Sequence, residues 1–279
     1  MKNKLIVIIC FIVLSNYSKA QSFEYYYNIA DSLLTSEKFD SAISYYDSAL
    51  KQDPSNLNSQ FNRGLCYLYL EKYKSAINDF ESYIKTNKKD PDAYSFRAEC
   101  KRELGDSTGS LKDYDTAVLL SPNDPKLRIE RGKFRSIMSL SDLSNEDFDF
   151  SIKLDSTQYY PYYLKALNLF WADNYNSSIL YFSKAINLNP TFANSYFYCA
   201  QVRLAMKEED NAIRLLNKAI ELSSKNSEYY LSRGKVYLFN ESEYDDNLAY
   251  EDLSKAAELG SKEAQDLIDE YFTDDEENN

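Results

Sequence analysis

From Phe23 to Asn226 the chain divides into six consecutive blocks of 34 residues, with neither insertion nor deletion between them. A strict period of this length means that each block is one supersecondary unit burying its apolar face against its neighbours. The chain must therefore be an array of like units. The blocks open at Phe23, Leu57, Pro91, Pro125, Tyr159 and Ala193, and a looser seventh opens at Ser227 with about three extra residues in its internal turn.

Numbering slots from the first residue of a block, slot 8 holds Ala30, Gly64, Ala98, Gly132, Ala166, Ala200 and Gly234. Slot 20 is also small throughout: Ala42, Ala76, Ser110, Ser144, Ser178, Ala212 and Ala249. Slot 24 is large and apolar in every block, from Tyr46, Phe80 and Tyr114 to Phe148, Phe182, Leu216 and Leu253. Slot 27 is small except for Tyr83. Small residues let two helix backbones approach, and a large one at fixed offset fills the space beside them, so each block reads as a helical hairpin.

This order resembles the tetratricopeptide repeat family over Phe23 to about Leu259, roughly 85% of the chain. The resemblance implies an all-α fold: a right-handed superhelical solenoid of about seven helix-turn-helix hairpins. Two features depart from the family pattern. Slot 4 is Tyr in five blocks but Gln60 and Arg128 in blocks two and four, and the slot 32 proline survives only as Pro54, Pro122 and Pro190. The last block runs into DLSKAAELGSKEAQDLIDEYF, which looks somewhat like a Sel1-type repeat. Ala264, Leu267, Ile268 and Tyr271 follow helical spacing, so 261–272 is expected to form a helix covering the last hairpin. The final residues, 273–279, read as a solvated acidic tail.

The start of the chain has Lys2 and Lys4, ten apolar residues from Leu5 to Leu14, then Ser18-Lys19-Ala20. This fits a secretory signal peptide over 1–20, cleaved after Ala20 and too short to span a bilayer comfortably. The repeats are then expected outside the cytoplasm, periplasmic or released. Ile9 precedes Cys10, which disfavours a lipoprotein signal. Formal charge −12 and a pI near 4.7 argue against nucleic acid, whose phosphates need a basic surface. The chain has no histidine, which removes imidazole acid–base chemistry and His-containing metal sites. Cys66, Cys100 and Cys199 lack a basic or CxxC context and read as small packed hydrophobes. With no Gly-rich phosphate loop and no nucleophile elbow, the sequence supports neither an enzyme, a cofactor nor a metal site.

Two local patterns carry structural predictions. Slot 18, with Asp40, Thr108, Asp142, Asn176 and Asp210, is expected to cap the second helix of its hairpin. Slot 7 is Arg63, Arg97, Arg131 and Arg233 in the same blocks in which slot 23 is Asp79, Asp113, Asp147 and Asp252. Such matched pairs predict an Arg–Asp bridge inside each of these hairpins. On that basis Arg97→Met should destabilise more than Arg97→Cys with Asp113→Leu, which copies block six.

By resemblance to the family, slots 2, 5, 9, 12 and 13 line the inner wall. The candidate partner-binding residues there are Tyr27, Phe61, Tyr69, Tyr160, Tyr163, Phe170, Trp171, Phe197 and Gln201. Exposed aromatics on such a wall suit recognition, because rings bury much area with little entropy loss. Packing against the neighbouring block is the other use for them. The carboxylate clamp of chaperone-binding members would need Lys and Asn where this chain has Tyr27 and Asp31, and Lys and Arg where it has Asp92 and Phe96. Only Asn62 fits, so capture of an acidic chaperone tail is not expected. The sequence therefore points to an exported scaffold for a protein or peptide partner, in cell-envelope assembly or secretion. A glycan-binding protein using Tyr160, Tyr163 and Trp171 as platforms, or a spacer without a groove ligand, are the alternatives; self-association is open in each.

Overall fold

The computed structural model describes residues 20–239 and 245–272. The proposed signal peptide up to residue 19, the turn at 240–244 and the acidic tail at 273–279 lie outside the described residues. The chain forms two compact units, 1–134 and 135–279. The described residues are all helix and turn, with no strand among them.

Unit 1 contains α1 (20–35), α2 (Phe39–Gln52), α3 (Leu57–Tyr69), α4 (Tyr73–Thr86), α5 (Pro91–Glu103), α6 (Ser107–Leu120) and most of α7 (Pro125–Ile137). Unit 2 contains α8 (Ser141–Leu154), α9 (Tyr159–Trp171), α10 (Tyr175–Leu188), α11 (Ala193–Ala205), α12 (Glu209–Leu222), α13 (Ser227–Phe239), α14 (Asp246–Glu258) and α15 (Lys262–Tyr271). In both units the core is written by the same slots. Ala42, Ala76, Ser110, Ser144, Ser178, Ala212 and Ala249 are fully buried, and so are Tyr46, Phe80, Phe148, Phe182, Leu216 and Leu253. Serine is tolerated at slot 20 because its hydroxyl is satisfied across the hairpin. Ser110 Oγ donates to the Ala98 carbonyl and Ser178 Oγ to the Ala166 carbonyl, each at 2.8 Å, from slot 20 to slot 8.

The departures at slot 4 are functional equivalents. Tyr94, Tyr162 and Tyr196 donate their hydroxyls to the carbonyl six residues back, at Lys88, Ser156 and Pro190. Gln60 Nε2 and Arg128 Nε donate to the same relative carbonyl, at Pro54 (2.9 Å) and Pro122 (3.2 Å). What the slot requires is a long side chain with a donor at its tip; the ring is optional.

The capping expectation needs correction. The second helices begin at Phe39, Tyr73, Ser107, Ser141, Tyr175 and Glu209, one residue before slot 18, so the cap position lies two before it. Asp40, Asp142 and Asp210 therefore sit in the first turn, where negative charge meets the positive end of the helix dipole. The residues in cap position are Lys38, Lys72, Asp106, Leu140, Asn174 and Glu208, of which only Asp106 accepts a backbone N–H, that of Gly109 at 2.9 Å. Other side-chain caps include Asn56 on the first helix α3, accepting from Ser59 N, Asp245 on α14, accepting from Asn247 N and Leu248 N, and Ser261 on α15, accepting from Ala264 N.

The chain turns inside each of the first six hairpins through a left-handed residue at slot 15. Glu37, Glu71, Ser139, Asp173 and Lys207 have φ between 56° and 60°, and Gly105 has φ 79°. The hydrogen bonds are those of a Schellman motif, as in Lys207 N to the Leu204 carbonyl and Glu208 N to the Arg203 carbonyl, both 2.9 Å. A side chain in this region is strained and glycine is not. Lys207→Gly is expected to raise stability by about 0.5–1 kcal/mol. An unchanged or lowered midpoint in urea would contradict this.

The Arg–Asp bridges form inside three hairpins. Arg63 reaches Asp79 (2.6 and 2.8 Å), Arg97 reaches Asp113 (2.6 and 2.8 Å) and Arg233 reaches Asp252 (2.7 Å), each with two nitrogens. The fourth predicted pair straddles the boundary of the units; within them, Arg131 donates to Asp115 and Arg135 to Asp147, both at 2.9 Å. Asp113 is also held by Lys101 Nζ at 2.8 Å. That second cation blunts the Arg97 comparison, because Asp113→Leu would leave Lys101 behind. Hairpin two, where Arg63 has Asp79 and, at 2.5 Å, the half-exposed Asp47, is the cleaner test.

Asp47 belongs to a further regularity. Slot 25 of one block faces slot 7 of the next: Arg63 to Asp47, Arg131 to Asp115, Lys165 to Asp149 at 2.6 Å, and Arg233 to Asn217. Where slot 7 is Cys199, slot 25 is the uncharged Ser183. Four of the five slot 7 cations thus reach back to the preceding hairpin, whereas Arg97 bonds to Asp113 of its own.

Candidate functional site

The first helices carry two inner positions of opposite character. Slot 5 points at slot 24 of its own hairpin: Tyr27 meets Tyr46 (6.1 Å between centroids), Phe61 meets Phe80 (5.7 Å) and Tyr163 meets Phe182 (6.0 Å). Tyr163 also packs edge-on to Phe192 and is 6% exposed, and Phe197 lies against Tyr229 and is 3% exposed. Tyr163 and Phe197 are therefore core residues, with almost no surface to offer a partner. Tyr27, Phe61, Tyr160 and Phe170 are half-buried, with Tyr160 stacked on Tyr163 at 5.9 Å. Packing claims slot 5 because the small residues at slots 8 and 20 bring the helices close enough for a ring there to bridge them.

Slot 13, at the last turn of the first helix, stays outside. In unit 2 it holds Ile137 (63% exposed), Trp171 (72%) and Phe239 (53%). Phe170 supports Trp171 at 4.8 Å, and Tyr271 of α15 meets Phe239 edge-on at 5.7 Å. Ile137 and Phe239 share the slot of Trp171 and are legible from the sequence on that ground, although they are not among the nine candidate residues. Beside Phe239 is an open depression of about 270 Å³ bounded by Gln201, Leu204, Ser232 and Val236. Gln201 Nε2 donates to Ser232 Oγ at 2.7 Å, which fixes its amide at the edge of the depression. Lys235, on the same rim, pairs with Glu263 and ties α15 to α13.

In unit 1 the slot 13 ring is Tyr69, exposed and stacked on Phe39 of α2 at 4.9 Å. It borders a second depression, of about 310 Å³, with Tyr73, Phe96 and the carboxylates of Glu71, Glu99 and Glu103. Burial pushes the Glu99 carboxyl above its usual range, against the pull of Arg102. The thiols are not part of either surface. Cys66, Cys100 and Cys199 are buried and unpaired, and burial raises the first two to about 12 and the third to about 11, so they stay protonated. Among the described residues no group of three or more Cys, Asp or Glu is placed to hold a metal ion, and no helix is long and apolar enough to cross a membrane.

A family model described as tetratricopeptide repeat matches residues 27–70 and 67–126. A search of curated protein sequences gave no match. Among solved structures, the chain resembles a tetratricopeptide repeat protein from Parabacteroides merdae, with 22% identity and a TM-score of 0.70 over 90% of this chain and 97% of that one. It resembles the C-terminal part of a repeat protein from Cytophaga hutchinsonii at 18% identity and a TM-score of 0.67, covering 86% and 98%. YrrB, described as a TPR protein with an unusual peptide-binding site, aligns at 22% identity with a TM-score of 0.52, over 66% of this chain and 90% of its own. Residues 27–126 thus match the tetratricopeptide repeat model, and the hairpins beyond them share the fold of the solved repeat structures.

Proposed function

We propose that the chain is an exported, non-catalytic scaffold that binds a protein or peptide partner on the first-helix faces of its hairpins, in cell-envelope assembly or secretion. In this reading 1–20 is a cleaved signal peptide, the repeats run 23–56, 57–90, 91–124, 125–158, 159–192, 193–226 and 227–260, and 261–272 closes the array with a Sel1-like end. The observation that carries it is the exposure of Ile137, Trp171 and Phe239 at one equivalent slot of unit 2, where packing leaves large apolar side chains in water. The shared fold with YrrB, described as having a peptide-binding site, supports the same class of partner. The glycan reading loses a platform, since Tyr163 is buried.

The test is a photo-crosslinking amino acid placed at Trp171 or Phe239 in intact cells, with exposed Leu180 on the second helix α10 as control. A discrete adduct of protein mass is expected from the first two positions and not from the third. Equal labelling at all three, or none, would count against the surface. The same cells test export: the mature chain is expected outside the cytoplasm, beginning at Gln21, and a cytoplasmic chain that keeps its first twenty residues would overturn that part.

A further inference from the structure

We propose that the unit 1 depression between α3 and α5 receives a lysine or arginine side chain of a bound peptide, its stem on the rings of Tyr69, Tyr73 and Phe96 and its cation among Glu71, Glu99 and Glu103. This rests on the peptide-binding reading above and names the partner chemistry on one of its surfaces. The depression has a volume of about 310 Å³ and is open to solvent at Tyr69, Glu71 and Glu103. Three carboxylates border it, and the two cations that act on Glu99 are already engaged: Arg102 with Glu103 at 2.5 Å and Glu99 at 4.0 Å, and Lys133 with Glu130 at 2.8 Å. The surroundings therefore carry net negative charge. The Tyr73 phenol is raised by burial and then by the fields of Glu71, Glu103 and Glu99, so all three act on the same ring.

The form of the site selects among cations. The carboxylates do not converge as metal ligands do, since no group able to hold a metal ion is found among the described residues. A small ion would therefore be left mostly hydrated, whereas a guanidinium or ammonium on an aliphatic stem matches spread carboxylates and aromatic faces together. Charge complementarity also excludes the alternatives of opposite sign. An acidic peptide is repelled, and so is a second copy of a chain whose net charge is −12.

The experiment is panning of a random-peptide phage library on the purified chain, followed by anisotropy titration of the enriched peptides as labelled synthetic copies. A basic residue beside an apolar one is expected at a fixed position of the enriched set. Replacing it by norleucine should weaken binding by about tenfold, and so should Glu99→Gln with Glu103→Gln in the protein. Leu119→Ser, an exposed change elsewhere in unit 1, should leave it unaltered. The norleucine peptide leaves the protein untouched, so misfolding of the double variant cannot imitate the result. Enriched peptides without a basic residue, or indifferent to both changes, overturn this inference while the peptide-binding reading stands. Failure to enrich any peptide overturns both.

Discussion

Replacing Arg63 by methionine is expected to lower the stability of unit 1 by about 3–5 kcal/mol at neutral pH, the loss typical of breaking a buried ion pair from one side. Asp79 is buried, and its two hydrogen bonds come from Arg63, at 2.6 and 2.8 Å. Burial pushes the Asp79 carboxyl above its usual range, and Arg63 pulls the other way. Without the guanidinium the desolvation is unopposed, so the variant's folded pKa lies still further above that of the unfolded chain. The sign of the pH dependence follows. A carboxyl whose folded pKa is raised supports folding while protonated, and that support is lost as pH rises through the folded pKa. The penalty of Arg63→Met should therefore be largest near neutrality and shrink as the pH is lowered towards the unfolded value. The double change Arg63→Cys with Asp79→Leu, which copies Cys199 and Leu215 of block six, should cost clearly less, since Asp47 is half-exposed and water can take over its solvation. Urea unfolding of both variants at two pH values checks the prediction. A double variant as damaged as the single one would mean that the pair is not a unit.

Phe80→Ala is expected to cost about 3–5 kcal/mol, the usual loss for a fully buried aromatic. Phe80 has no exposed surface, lies 5.7 Å from Phe61 and 6.0 Å from Phe96, and its ring edge would sit 3.0 Å from a Cβ placed on Gly64. It joins α4 to the first helices of two consecutive hairpins, so the cavity cannot close by movement of one helix alone. Gly64→Ala pushes one methyl into that ring and should cost less, because a small shift of Phe80 relieves it; Ala30 and Tyr46 show the same slots so filled. If Phe80→Ala lost no more than Gly64→Ala in urea unfolding, slot 24 would not be the hub of the hairpin.

The hairpins were legible because their determinants are local and repeated. Slots 8, 20, 24 and 27 report helix contact at fixed offsets, and the same contact recurs in every block. The internal bridges were legible for the same reason, since slots 7 and 23 are read within one block. The link from slot 25 to the next slot 7 was missed, although Asp47, Asp115, Asp149 and Asn217 precede Arg63, Arg131, Lys165 and Arg233 by a constant 16 residues. Finding it required comparison across block boundaries. Cap positions were misplaced by two residues because the left-handed turn at slot 15 is nearly free of glycine: only Gly105 announces it, while Glu37, Glu71, Ser139, Asp173 and Lys207 hide it.

The exposure of the candidate residues was legible in part. Trp171 and Tyr69 are exposed, whereas Tyr163 and Phe197, chosen on the same argument of ring and wall, are core. Hydrophobicity and slot cannot separate these cases. What separates them is how far along the helix the residue lies: slot 5 faces the slot 24 side chain inside the hairpin, while slot 13 is at the last turn, where neighbours such as Phe39 and Tyr271 cover it only in part.

Trp171 is the single tryptophan of the chain, and its exposure makes it a direct reporter of the proposed surface. The decisive measurement is its emission during titration with the partner captured by crosslinking. Emission that starts at the long wavelength of a hydrated indole and moves to shorter wavelength as the complex forms is the expected result. A complex that forms, by an independent binding signal, while the Trp171 emission stays in place would contradict recognition on this face.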